Sequence, residues 1–347
     1  MPRPNHCVTQ LRYEDMVPQP CLAGILKLKL NESRSARPHV DLPVADSATE
    51  MLWLLGQPHL ADYLSFLETK VIGGDREDMR ACAAEWRAVN DLYYDLEQTE
   101  AGIADSIDCR RLPKRLGGLA AELEANPWFK SSFDNLPYSI ELVELDKLVV
   151  SQIQVENGHS RLIAECLGPK PSPSELFKFC LPVEPKQPPV DIRRLSSTRY
   201  LFSSPSSDFR SHDPRLISAA DIGHLIPAGP VAGFFGVSVG FGSNFLSGVR
   251  SGSRVLLQNG YHRSYALRSA GFTHAWCVVE EVTRKDELKL TATGEVAADP
   301  EFYFAAKRPP ILRDFFDERI CKQLLVRPMD CVVEVEINIR SSNATRV

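Results

Sequence analysis

The sequence predicts an α+β protein with a mixed-sheet core, a mainly helical N-terminal region and a C-terminal amphipathic strand. Three stretches carry that prediction. From Val255 to Val279 the chain reads strand, turn, helix, strand. From Asp75 to Leu96 the apolar side chains Met79, Cys82, Ala83, Trp86, Val89, Tyr93 and Leu96 recur mostly at three- and four-residue intervals, the period of a helix face. Near the end, Val333, Val335, Ile337 and Ile339 alternate with Glu334, Glu336, Asn338 and Arg340, the period of a strand with one wet face.

Bulk properties bound the function classes. With 347 residues, 44% hydrophobic and 24% charged, the chain has an ordinary globular composition and enough length for a substantial core. A net charge of -5 argues against a whole-surface nucleic-acid binder and leaves room for a local basic patch. Nine cysteines, without paired spacing or a CxxC, do not form a disulfide or zinc framework. Met1 to His6 lacks a signal-peptide core, and no apolar run is long enough for a bilayer. These features lead to an expectation of a cytoplasmic protein with no membrane partner.

Residues 1–136 form the helical region. Leu22 to Leu30, with Leu26, Leu28 and Leu30 set against lysines, reads as a strand. Asp46 or Ser47 is placed to cap a helix through Leu55, with Glu50 as capping-box acid. Helices follow from Pro58 to Lys70, stopped by Gly73-Gly74, from Asp75 to Leu96, and from Lys114 to Ala125. Tyr93 and Tyr94 offer a stacking platform for bases, but aromatics at helical spacing are read here as packing.

Residues 137–282 form the core. Val149, Ser151, Ile153 and Val155 alternate, and Asn157-Gly158 predicts a hairpin turn into a returning strand over Arg161–Cys166. His159 beside that turn is read as a surface residue. A proline-rich insertion at 168–190 is broken by a short helix around Ser174–Cys180. Arg193, Arg194, Arg199, Arg210 and Arg215 lie among serines, a pattern that suits phosphates or a solvated loop equally well. Ala219 to Ile226 is expected to form a strand or short helix. The glycine-rich run Gly229–Asn244 lacks both the Walker A and the dinucleotide spacing, and reads as half apolar wall, half lid.

The turn at 259–264 is the strongest functional signal. Asn259-Gly260 ends the apolar run Val255–Leu257 in a conformation that tolerates positive φ. His262 and Arg263 then open a helix that Gly271 closes, and Ala275–Val279 follows as a strand. Unpaired amides and the dipole at such a helix start, with a guanidinium and an imidazole added, suit a phosphate.

Asn259-Gly260-Tyr261-His262-Arg263 between two strands, with Ala266 and Gly271 following, resembles the signature of the ParB/sulfiredoxin superfamily. In that superfamily a Gly-x-His-Arg or Gly-Glu-Arg-Arg turn holds nucleotide phosphates. Ser139 to Leu148 resembles the opening strand of ParB-like domains, so the likeness extends loosely over Tyr138–Val282. The resemblance implies that Asn259, Gly260, Tyr261, His262, Arg263 and Ser264 bind CTP or ATP. It also implies that His262 and Arg263 act on the phosphates, with Mg²⁺ where phosphoryl transfer occurs. Glu280 is the carboxylate chosen to act with them, ahead of Glu281 and Glu144. Tyr261 stands where sulfiredoxins carry their catalytic Cys, which argues against sulfinic-acid reduction.

Residues 283–347 extend the core and return to the sheet. Asp299–Phe304 is a short helix, and Pro309-Pro310 precedes the segment from Leu312. Asp314 and Asp317 offer a carboxylate pair for a metal, but helix capping is the preferred reading. A chromosomal ParB would continue into a helix-turn-helix, whereas this stretch ends in a strand. Two further readings stand beside nucleotide binding with NTPase or phosphotransferase activity. One is a non-enzymatic DNA- or protein-binding module in a bacterial DNA-modification, defence or partition-like system. The other is a ParB-like nuclease, which would need clustered acids for metal.

Overall fold

A computed structural model describes residues 30–31, 48–57, 59–168, 170–183, 187–206, 208–218, 231 and 233–340. The chain divides into two compact units whose bounds cross the regions read from sequence. One takes in residues 42–185 and 243–328, and the other 186–242 with the ends of the chain. The helical segment and the core therefore share the larger unit.

The larger unit opens with β1 (Thr49–Leu54), where a helix is expected. Its last three residues are buried, and pairing with two neighbours outweighs the local capping pattern. Helix α1 (Leu60–Lys70) leads to α2 (Met79–Thr99), whose N-cap Asp78 accepts from the Arg80 amide. The periodic residues Cys82, Ala83, Val89, Tyr93 and Leu96 form its buried stripe. Tyr94, in contrast, is 61% exposed. Strand β2 (Cys109–Arg111), α3 (Gly117–Ala125) and α4 (Pro127–Ser132) follow, the last capped by Asn126. Then come β3 (Tyr138–Glu144), β4 (Val149–Val150) and β5 (Gln154–Glu156).

The hairpin expected at Asn157-Gly158 is instead the start of α5 (Asn157–Glu165), so the strand expected over Arg161–Cys166 is helical. The Asn157 carboxamide donates to Glu50 Oε2 at 3.0 Å, a long-range partner that local turn chemistry does not foresee. Helix α6 (Pro173–Cys180) forms where expected, with a complete Ser172/Glu175 capping box. After residue 242 the unit resumes with β6 (Ser247–Ser251), β7 (Arg254–Asn259), α7 (Tyr261–Ser269) and β8 (His274–Val282). It closes with α8 (Leu288–Thr291), α9 (Gly294–Ala298), α10 (Pro300–Phe304) and β9 (Cys321–Val326).

A six-stranded mixed sheet in the order β2-β3-β8-β6-β7-β4 and a three-stranded sheet β9-β1-β5 organise these elements. Strand β8 is buried almost throughout and runs parallel to β6 and antiparallel to β3. A continuous run of apolar residues suits such a central strand. Arg308, almost wholly buried, is held by both carboxylate oxygens of Asp314 at 2.6 Å and by Glu100. Asp314 also accepts from the Ile311 amide and the Tyr93 hydroxyl, and Asp317 pairs with Arg319. The two aspartates thus serve local turns and ion pairs.

In the smaller unit, Asp191–Arg194, Arg199–Ser204 and Cys331–Glu336 are antiparallel neighbours in a four-stranded sheet. The arginine-rich segment, for which the sequence allows a phosphate-binding stretch and a solvated loop equally, is largely strand. Its arginines are paired within the unit, Arg193 with Asp191, Arg199 with Glu334 and Arg210 with Asp208. The glycine-rich run contributes two short strands, Phe234–Gly236 and Val239–Phe241. The C-terminal strand keeps its alternation over Cys331–Glu336. The expected strand at 22–30, apart from Leu30, and the element at 219–226 lie outside the described residues.

Candidate functional site

The turn between β7 and α7 places every residue of the sequence motif. Gly260 has φ 95°, and a Cβ on it would lie 3.1 Å from Leu246 Cγ. Both the backbone conformation and the space require glycine here. Asn259 Oδ1 accepts from the Gly260 amide at 2.8 Å, and its Nδ2 donates to the Ser243 carbonyl. The Ser264 amide then donates to the Gly260 carbonyl and closes the first turn of α7. The amides of Tyr261, His262 and Arg263 have no acceptor one turn back inside the helix, which makes this end partially positive.

The motif side chains take different roles. Tyr261 is 5% exposed, and its hydroxyl donates to the Leu257 carbonyl at 2.6 Å. That oxygen also accepts from the amides of Ser151 and Gln152 at 3.1 and 3.2 Å, so Tyr261 ties β7 to the chain after β4. Ser264 is fully buried and its hydroxyl has no partner among the described residues.

Arg263 is only 9% exposed. Its Nη1 donates to the Asn244 and Cys180 carbonyls at 2.7 and 3.2 Å, and its Nη2 to Asn244 Oδ1 at 2.8 Å. The guanidinium also lies 5.8 Å from the centre of the Phe179 ring. All of these partners are neutral. Burial pulls its pKa down, and among the described residues no carboxylate compensates the charge. Nε–H and the second hydrogen of Nη2 remain without acceptors among the described residues.

His262 is brought against His159, which is exposed as the sequence reading expects, although it lies on α5 and not beside a hairpin. The rings of His159 and His262 lie 5.1 Å apart, edge to face. Burial, and secondarily His159, hold the His262 pKa down at about 4, so its imidazole is neutral near pH 7. His159 belongs to the first turn of α5 and His262 to the first turn of α7, so two positive helix ends adjoin. A signal for this was present. Val155-Glu156-Asn157-Gly158-His159 parallels Leu257-Gln258-Asn259-Gly260-Tyr261-His262, and both Asn-Gly pairs start helices.

The carboxylates chosen from sequence stand elsewhere. Glu280 is 4% exposed and accepts from the Thr291 hydroxyl, and burial raises its pKa. In the sheet register Val278, not Glu280, is level with Ser247, the partner of Asn259. Glu281 pairs with Arg250 at 2.6 Å, and Glu144 accepts from the Asp108 amide and pairs with Lys147. A cleft of about 440 Å³ lined by Arg111, Glu141, Arg250 and Ser253 lies at the sheet end away from Asn259.

Among the described residues no group of three His, Cys, Asp or Glu side chains is arranged to hold a metal. The described cysteines are all free thiols, and no described helix is long and apolar enough to cross a membrane. Comparison of the chain with protein-family models, curated proteins and solved structures finds no match.

Proposed function

We propose that the protein binds a nucleoside triphosphate, CTP or ATP, with its phosphates at the first turn of α7, as the likeness to the ParB/sulfiredoxin superfamily implies. The observation that carries this reading is the buried Arg263 guanidinium, whose hydrogen-bond acceptors among the described residues are all neutral oxygens. A buried charge held by neutral groups alone is only partly compensated. An anion accepting from Nε–H and the second Nη2–H, which have no acceptor among the described residues, would complete the arrangement with charge-assisted bonds. The adjoining first turns of α5 and α7 add positive potential, and the neutral His262 offers an imidazole N–H donor at no cost in protonation.

Transfer chemistry needs more than this. It requires Mg²⁺ and a carboxylate beside the γ-phosphate. Glu280, Glu281 and Glu144 are engaged with Thr291, Arg250 and Lys147, and no described donor set fits the ion. The proposal is therefore for binding, with no catalytic step assigned.

Isothermal titration with CTP, ATP and ADP tests it. We expect saturable binding to the wild type, weakened about tenfold or more in Arg263→Ala, the scale of one lost charged hydrogen bond. Absence of binding by the wild type, or equal binding by the variant, rules the reading out.

A further inference from the structure

The Arg263 hydrogen bonds join two stretches of the larger unit, one at the end of α6 and one just after residue 242. The chain leaves that unit after α6, which ends at Cys180, and returns to it from Ser243. Arg263 Nη1 donates to Cys180 O on the departing stretch and to Asn244 O on the returning one. The two stretches are also joined directly, because the Leu246 amide donates to Cys180 O at 3.0 Å. The motif holds the returning stretch at Ser243, Asn244 and Leu246. Asn259 Nδ2 takes Ser243 O, Arg263 takes both oxygens of Asn244, and Leu246 packs on the face of Gly260 that lacks a Cβ.

We propose that Arg263 couples the anion site to this junction between the end of α6 and residues 243–246, so that a bound polyphosphate tightens it. The inference rests on the nucleotide-binding reading above. The fork formed by Nη1 and Nη2 is committed to Asn244, while the Nε edge has no acceptor among the described residues, so ligand and junction share one guanidinium without competing for the same hydrogens. An anion on that edge offsets the desolvation of the buried cation and thereby stabilises the clasped arrangement. A ligand that binds only that arrangement raises its population, and the effect is reciprocal. Asn244 is then a positioning residue: it touches no ligand, yet it sets the affinity by holding Arg263.

Hydrogen exchange read by mass spectrometry on the full chain, with ATP and CTP in parallel, tests the coupling. In the wild type the bound nucleotide should slow exchange in peptides covering Phe177–Val183 and Ser243–Val249, where the Leu246 amide reports the junction. Asn244→Ala should remove that protection and weaken nucleotide binding about fivefold or more, within the usual range of coupling between sites. Asn244→Asp, nearly isosteric, gives Arg263 an internal counter-ion. It should protect both peptides without nucleotide and lower affinity about tenfold or more. If nucleotide binds the wild type while exchange at both peptides is unchanged, or if Asn244→Ala binds as tightly as the wild type, the coupling is refuted and the binding site stands. If the wild type binds neither nucleotide, the site and the coupling fall together.

Discussion

Asn244 presents two oxygens to Arg263, its backbone carbonyl at 2.7 Å and its carboxamide at 2.8 Å, so one residue fills the fork of a buried guanidinium. A lysine has the same charge but no planar fork, and it cannot reach Cys180 and both Asn244 oxygens together. Arg263→Lys should therefore destabilise the fold by about 1–3 kcal/mol by stranding buried carbonyls. Urea denaturation measures this, and an unchanged midpoint would show that the fork is dispensable.

Gly260 and Gly271 both have positive φ, 95° and 87°, but they differ in space. A Cβ at Gly260 meets Leu246, whereas one at Gly271 meets nothing within 4 Å. Gly271→Ala should cost only the conformational strain, about 1–2 kcal/mol. Gly260→Ala should cost more, because Leu246 has to shift as well. Equal losses in the two variants would mean that the close approach at Leu246 carries no energetic weight.

His262 titrates in the opposite sense to a histidine with an acidic partner. Its folded pKa is about 4, below its ordinary 6.5, so the unfolded chain takes up a proton that the folded state refuses. The contribution to stability is complete above about pH 6.5 and is lost as pH falls towards 4. Compared with the wild type, His262→Asn should lose less stability between about pH 7 and about pH 5. Parallel pH slopes for the two proteins would place the imidazole in water.

Glu280 is a buried carboxyl with a hydroxyl partner and no cation among the described residues, and burial raises its pKa. The folded state thus holds its proton to higher pH than the unfolded chain, and stability is lost as pH rises from 4.5 through the raised value. Glu280→Gln should be more stable than the wild type at neutral pH, with the gain vanishing in acid. Its nucleotide affinity should match the wild type. A loss of affinity in Glu280→Gln would return this residue to the site.

Arg308 and Asp314 form a bidentate pair in which both side chains are almost wholly buried. Asp314→Ala leaves the guanidinium with Glu100 and the Pro309 carbonyl, and frees the Ile311 amide. A loss of about 3–5 kcal/mol is expected, as for breaking other buried pairs. Calorimetry would show it as a large drop in Tm, and a drop of a degree or two would mean that water replaces the carboxylate.

The sequence by itself determined the elements whose cause is local or periodic. The stripe of α2, the short helix near Ser174–Cys180, the alternation that begins at Val333 and the strand–turn–helix–strand between Val255 and Val279 follow from side-chain period and from residues within one turn. The tertiary structure decided what depends on distant partners. Thr49–Leu54 is a strand because β9 and β5 flank it. Asn157-Gly158 opens a helix whose first carboxamide meets Glu50, 107 residues earlier. The site divides along the same line. Gly260 and the helix start at Tyr261 were legible because positive φ and a helix end are properties of a few consecutive residues. The contact of His262 with His159, the hold of Arg263 on Cys180 and Asn244, and the pairing of Glu280 with Thr291 were not. Each joins residues that only packing brings together, and no local pattern encodes the energy of such a contact.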